Sequence, residues 1–321
     1  MDNLNYSSPL EKGDLWIIDG GFSTQLMVYM EGLDNDPLWT ARSIVTNPDL
    51  VEQVHMDFIN AGANVILTCS YQISEQGFKQ HLNMNSKATV EAVRTSVQLA
   101  KSAIKKCEKR AILIGGSVGP YGACQSDGSE YTGAYLDSLS REELVKWHLP
   151  RIQTLISSGV DFIAAETLPS WREAIAILDC ISATGGTTPV WVSFTLKNEN
   201  NLPTGETLQD AMRQLRKHEL FGKGRIFAVG FNCLHPKLVS GGIDNIRKVA
   251  KTIPIVVYPN SGEDWDGIAR CWKGEGGIDW SDYVGDWLKK GVVGLGGCCR
   301  LGAENIADLR LSVAKVLLNQ I

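Results

Sequence analysis

Val292-Val293-Gly294-Leu295-Gly296-Gly297-Cys298-Cys299 reads as a short apolar strand that stops at a pair of glycines and delivers two adjacent thiols. The same plan recurs upstream: an apolar, often β-branched run ends in small or polar residues and gives way to a helical pattern. Leu15-Trp16-Ile17-Ile18 leads into Asp19-Gly20-Gly21, Val65-Ile66-Leu67-Thr68 into Cys69-Ser70-Tyr71, and Ile112-Leu113-Ile114 into Gly115-Gly116-Ser117. Asp161-Phe162-Ile163-Ala164-Ala165 precedes Glu166-Thr167, and Val190-Trp191-Val192-Ser193-Phe194-Thr195 follows. Phe227-Ala228-Val229-Gly230-Phe231 runs into Asn232-Cys233, and Ile255-Val256-Val257-Tyr258 into Pro259-Asn260. With the quoted stretch these make eight strands.

Between them lie segments with apolar residues at helical spacing, such as Val90, Val93, Val97, Ala100 and Ile104 within about 86–108. Others open on plausible caps: Asn47 before Pro48, Ser140 with Glu143 three residues on, and Thr207 before Leu208. Continuous apolar strands alternating with helices point to a parallel sheet covered on both faces, since helical crossovers join parallel neighbours. Eight such units predict an α/β fold closed as a (β/α)8 TIM barrel. The rival open doubly wound sheet commonly has fewer strands and carries a phosphate turn after its first strand, where this chain has Asp-Gly-Gly-Phe. No linker or repeat interrupts the pattern, so residues 1–14 are read as an N-terminal extension and 15–321 as one barrel domain. The irregular stretches 116–139 and 259–279 then belong to the rim at the C-terminal ends of the strands.

The chain has 321 residues, 44% hydrophobic and 21% charged, with a formal net charge of -5 and no basic run longer than two residues. That balance disfavours nucleic acid as a partner, and no apolar run is long enough for a membrane span. A small-molecule partner is expected. The polar, acidic start is unlike a targeting segment, so the cytosol is the expected compartment, where thiols stay reduced. Eight cysteines therefore call for a thiol or metal explanation rather than disulfides. Cys107 and Cys180 fall in helical patterns as small buried hydrophobes; Cys69, Cys124 and Cys271 stay unassigned.

In a barrel the carboxyl ends of the strands converge on one mouth, so Cys233 and the Cys298-Cys299 pair can point at a common centre. Three thiolates with a fourth position open suit a catalytic zinc. Adjacent cysteines in a regular strand face opposite ways, and the Gly296-Gly297 pair is expected to let the chain leave extended geometry and bring both sulfurs round. Two other readings stand beside this one: Cys298 and Cys299 as packing residues or a vicinal disulfide, and His235 as a fourth ligand closing a structural site. Asp19 and Glu166 also sit at strand ends, where they could receive the ammonium of an amino-acid substrate; alternatively Asp19 holds the Gly20-Gly21 turn and Glu166 caps the helix near Pro169. Phe22, Trp39, Tyr71 and Trp272 are rim aromatics, packing residues unless the substrate carries a cation such as a sulfonium, which an aromatic face would hold. The glycine-rich 115–122 is a poor phosphate loop because Pro120 removes a donor and no Gly-Lys-Ser/Thr follows. Lys197 could be a Schiff-base lysine of an aldolase-like barrel, but its charged surroundings favour a solvated side chain.

These residues assemble into a resemblance. Asp19-Gly20-Gly21-Phe22-Ser23-Thr24-Gln25-Leu26, Pro37-Leu38-Trp39-Thr40-Ala41, Ser70-Tyr71-Gln72, Gly116-Ser117-Val118-Gly119-Pro120-Tyr121-Gly122-Ala123, Glu166-Thr167-Leu168-Pro169, Gly230-Phe231-Asn232-Cys233, Tyr258-Pro259-Asn260-Ser261-Gly262-Glu263 and Gly296-Gly297-Cys298-Cys299-Arg300 are similar to motifs of the homocysteine S-methyltransferase family. The likeness runs from about Leu15 to the C-terminus. It implies a (β/α)8 barrel, one zinc ion held by Cys233, Cys298 and Cys299, and homocysteine held by Asp19 and Glu166. Trp39 matches a position lining the methyl-donor side in betaine-using relatives. The chain resembles most the branch that uses S-methylmethionine, sometimes S-adenosylmethionine, as donor; betaine as donor and selenocysteine as acceptor are the variants within the family. A reading from another class is a non-catalytic zinc or thiol redox sensor built on the same cysteines.

Overall fold

The computed structural model describes residues 15–108, 111–266, 271–274 and 276–318; the expected N-terminal extension, 1–14, lies outside them. The strands are β1 (Trp16–Ile17), β2 (Val65–Leu67), β3 (Leu113–Val118), β4 (Phe162–Leu168), β5 (Val190–Phe194), β6 (Ile226–Asn232), β7 (Ile255–Tyr258), β8 (Asp264–Asp266), β9 (Cys271–Lys273) and β10 (Val292–Leu295). Eight of them form one parallel sheet in the order β1-β10-β7-β6-β5-β4-β3-β2. A parallel bridge between Ile18 and Val65 joins its two ends, so the sheet closes into the expected (β/α)8 barrel.

Local chemistry sets the helices. Ser140 forms a full capping box with Glu143 at the start of helix Arg141–Ser157, and the Thr207 hydroxyl accepts from the Asp210 N–H. The segment expected over 86–108 is the helix Ser86–Lys106, capped by Asn85. Asn47 differs from expectation: its side chain makes no cap bond, because its Oδ1 accepts from the Thr46 hydroxyl at 2.7 Å. Helix Pro48–Ala61 instead starts on Pro48, which has no first-turn N–H to satisfy. The two irregular stretches hold more order than their sequences suggest. The first contains the 3-10 turns Tyr121–Gln125, Ser129–Tyr131 and Ala134–Asp137, and the second contains the antiparallel hairpin of β8 and β9.

Period-two alternation sorts the strand residues. Ile17, Ile66, Ile163, Val192, Val229 and Val257 face outward into the helix-covered core, whereas Trp16, Phe162, Trp191, Phe227 and Tyr258 fill the barrel. Phe162 and Trp191 have ring centroids 4.5 Å apart, Trp16 and Phe227 5.5 Å, and Phe162 and Phe227 5.4 Å. These rings come from the N-terminal halves of their strands and form a floor, with Tyr258 above Trp191 at 5.8 Å. Burying each ring contributes on the order of 2–3 kcal/mol. Among the described residues no helix is long and apolar enough to cross a membrane.

Candidate active site

Above the floor the strand ends enclose a cavity of about 780 Å³, including its open mouth, lined by Cys233, Cys298, Cys299, Asp19, Glu166, Trp39, Tyr71 and Phe22 among others. Cys233 follows β6 with φ 54, the left-handed region that a side-chain-bearing residue enters at a cost of about 1–2 kcal/mol. Its N–H bonds the Tyr258 carbonyl at 3.2 Å, and its carbonyl accepts from the Thr195 hydroxyl at 3.2 Å. The chain leaving β10 wedges between the ends of β1 and β7: Gly296 N–H bonds Val257 O at 3.0 Å, Gly297 N–H bonds Asp19 O at 3.0 Å, and Cys298 N–H bonds Pro259 O at 2.7 Å.

The two glycines serve a purpose other than the expected one. Neither has a positive φ. A Cβ on Gly296 would lie 2.7 Å from Ile18 Cβ and 2.9 Å from Asp19 O, and one on Gly297 would lie 2.8 Å from Leu301 Cβ. The smallness of Gly296 lets the chain pass close to the end of β1 and that of Gly297 leaves room for Leu301, and a left-handed residue comes later, at Arg300 with φ 68. The three sulfurs converge as expected, all within 4.8 Å of one another, with Cys233 and Cys299 3.5 Å apart. Cys298 and Cys299 are free thiols rather than a vicinal disulfide. His235 is not in the cluster; its Nδ1 accepts from the Lys237 N–H at 3.2 Å.

The donor set fits zinc. Zn–S bonds of about 2.3 Å in a tetrahedral shell place sulfurs roughly 3.8 Å apart, within the span observed. The Cys233 thiol is held well below its ordinary range by hydrogen bonds from Cys298, Cys299 and Tyr131, against the opposing effect of burial. Cys298 and Cys299 are pushed up, because each hydrogen-bonds Cys233 and also sits beside its charge. A metal cation binding the three sulfurs would displace their protons.

Asp19 and Glu166 reach the cavity, and neither follows its plainer alternative. Asp19 Oδ2 accepts from the Leu67 N–H at 2.8 Å, tying β1 to β2. Ser170, not Glu166, caps the helix after β4. Burial raises the Asp19 pKa well above the usual carboxylate range, with repulsion from Glu166 adding to it. Burial likewise pushes Glu166 up to about 7, while the hydroxyls of Ser117 and Tyr258 favour its charged form. Glu166 is aimed by a bulge in β4, where the register against β5 shifts between Ala165 and Leu168 and Thr167 sits at φ 58. Asn232 holds that bulge: its Oδ1 accepts from Thr167 N–H at 2.7 Å and Ser193 Oγ at 2.8 Å, and its Nδ2 donates to Thr167 Oγ1 at 2.7 Å.

Trp39, at φ 44, is a third strained residue on the cavity wall. Tyr71 is fixed from behind. The buried Arg151 guanidinium donates to the carbonyls of Tyr71 at 2.8 Å and Gly119 at 2.8 Å, and a Cβ on Gly119 would stand 2.5 Å from the Tyr71 ring. The glycine-rich run therefore accommodates an aromatic rather than a phosphate. Phe22 packs edge-on to His55 at 5.0 Å. Trp272 lies on β9 and is absent from the lining. Lys197 is exposed, consistent with a solvated side chain. Cys69 and Cys124 donate to the carbonyls of Thr40 and Gln72, and burial pushes their thiols up to about 12 and about 11. The side chain of Cys271 lies outside the described residues.

Sequence reasoning missed Glu130, Tyr131, Tyr258, Asn232 and Thr167, all part of the lining. The Tyr131 hydroxyl and the Cys233 sulfur are hydrogen-bonded at 3.0 Å. For Tyr258 a signal existed: it lies two residues beyond the inward-facing Val256 at a strand's C-terminal end. For Glu130 and Tyr131, in a non-periodic loop, there was none.

Fold and site together define a (β/α)8 barrel with a thiol-rich, carboxylate-lined mouth. The chain belongs to the homocysteine S-methyltransferase family, whose model matches residues 16–313. It is 39% identical over 308 residues to a betaine-homocysteine S-methyltransferase of Drosophila melanogaster, covering 91% of this chain and 92% of that one. It is 37% identical over 330 residues to homocysteine S-methyltransferase 3 of Arabidopsis thaliana, covering 96% and 91%. The metallated crystal structure of the homocysteine methyltransferase MmuM from Escherichia coli superposes with a TM-score of 0.81 at 32% identity, covering 95% of this chain and 99% of that one.

Proposed function

We propose that this protein transfers a methyl group from a sulfonium donor, S-methylmethionine or S-adenosylmethionine, to homocysteine, with one zinc held by Cys233, Cys298 and Cys299. The observation that carries this reading is the convergence of three thiols and two raised carboxylates in one cavity. When bound, zinc supplies a Lewis acid that lowers a thiol pKa from about 8.5 and so presents the acceptor sulfur as a thiolate at neutral pH.

The remaining work falls to the chain. Asp19 and Glu166 are two carboxylates whose charges oppose one another, and an ammonium arriving between them is the counter-charge that both lack. Such a charge-assisted contact is worth about 1.5–3 kcal/mol. Trp39, Tyr71 and Phe22 offer aromatic faces to the donor's cationic centre. Holding the attacking sulfur, the methyl and the leaving sulfur in line converts an encounter into a near-unimolecular step, which contributes several kcal/mol. Cytosolic residence follows from the need for reduced thiols.

The name of the Drosophila relative supports a second reading, with betaine as the donor. The test is methionine formation from homocysteine with S-methylmethionine, S-adenosylmethionine and betaine, with and without a chelator. Turnover with a sulfonium, lost on chelation and restored by zinc, is expected. Turnover with betaine alone transfers the reading to the second donor; no turnover with any donor sinks both and leaves the thiol-sensor class.

A further inference from the structure

Among the described residues the cavity is lined by three carboxylates, Asp19, Glu130 and Glu166, and by no lysine, arginine or histidine. None of these described lining residues supplies a positive charge to offset the three carboxylates. Asp19 and Glu166 are close enough to repel one another. Glu130 lies on the side of the cavity formed by Cys233, Cys299, Tyr71 and Tyr131, each of which interacts electrostatically with it. It does not belong to the converging metal-ligand set.

Glu130 is carried in by the 3-10 turn Ser129–Tyr131, which folds directly over Gly122: a Cβ on Gly122 would lie 2.6 Å from the Glu130 nitrogen and 2.7 Å from Ser129 C. The residue is 8% exposed, and its Oε2 is buried with no hydrogen-bond partner. An uncompensated buried carboxylate is expensive, and its proton affinity records that cost, with burial pushing it up to about 8. The arrangement makes sense if a ligand brings the missing donor.

We propose that Glu130 binds the α-ammonium of the methyl donor. This rests on the sulfonium reading above and adds a specificity determinant to it. The chemistry selects the group: an unpartnered carboxylate oxygen needs an N–H or O–H, and neither a sulfonium nor a quaternary ammonium carries one. Glu130 is thus the element that distinguishes amino-acid sulfonium donors from betaine-like methyl donors, while the aromatic faces hold the sulfonium itself.

The experiment compares wild-type holoenzyme with Glu130→Gln, using homocysteine with either S-methylmethionine or its analogue lacking the amino group, a simple dimethylsulfonium carboxylate. Zinc content and melting temperature check the fold. The variant should raise KM for S-methylmethionine about tenfold or more, and should leave KM for the analogue and for homocysteine within about twofold. Equal losses with both donors, a loss confined to homocysteine, or no change would each overturn the assignment while leaving the methyltransferase reading intact. If wild-type enzyme turns over neither sulfonium, that reading fails and this one fails with it. Should the Gln variant not fold, Glu130→Asp is measured the same way, with the same selective loss expected and the same outcomes overturning it.

Discussion

Replacing Asn232 with alanine tests how the site is aimed. The side chain is 1% exposed and makes the three hydrogen bonds to Thr167 and Ser193 that hold the β4 bulge. At a net 0.5–1.5 kcal/mol each these sum to about 1.5–4.5 kcal/mol. The buried Thr167 N–H, left without its acceptor, adds about 1–3 kcal/mol. Part of this returns as Thr167 relaxes from φ 58, which costs a β-branched residue about 1–2 kcal/mol. The expected loss is therefore about 3 kcal/mol, read as a lower urea midpoint at an unchanged m-value. Because Glu166 adjoins Thr167, KM for homocysteine should rise as well. A stability loss under about 1 kcal/mol with an unmoved homocysteine KM would show that Asn232 does not hold the bulge.

Cys298→Ala removes one of three metal donors and should abolish both stoichiometric zinc and turnover; a metal-free variant with normal rates would refute the role of the cluster. In the metal-free protein Glu166, at about 7 against an ordinary 4.5, binds its proton more tightly folded than unfolded. The folded state then holds more protons between those values, so stability should fall as pH rises through that window, by up to about 3 kcal/mol, and be higher below it. Glu166→Gln should flatten that slope in urea midpoints at pH values on either side of the window, and an unchanged slope would count against it. Trp191→Ala, at the centre of the floor, should cost about 3–5 kcal/mol; a loss near 1 kcal/mol would mean that the floor collapses to fill the space.

The barrel was legible because parallel strands buried on both faces have to be apolar throughout, and eight such runs alternate with helical spacing. Cys233, Cys298, Cys299, Asp19 and Glu166 were legible for the same reason, since each directly follows or ends a strand and barrel geometry takes strand ends to one mouth. Glu130 and Tyr131 were not, because a loop without periodicity gives no direction to its side chains. The Ser129–Tyr131 turn returns to the mouth only because Gly122 leaves room beneath it, a tertiary contact rather than a local signal. The glycines before Cys298 show the converse. Their presence was readable, but whether they served torsional freedom or close approach depended on β1 and Leu301 lying against them. Asn47 looked like a cap until Thr46 claimed its side-chain oxygen.

The rings of Trp16, Phe162, Trp191 and Phe227 have a consequence for traffic. They stopper the barrel beneath Tyr258, so a reaction that joins two molecules and releases two must use a single doorway for all four. Whichever molecule rests deepest has to arrive before its partner and wait for the partner's remnant to depart. The sequence of comings and goings is thereby set by a plug of aromatic packing that takes no part in the chemistry.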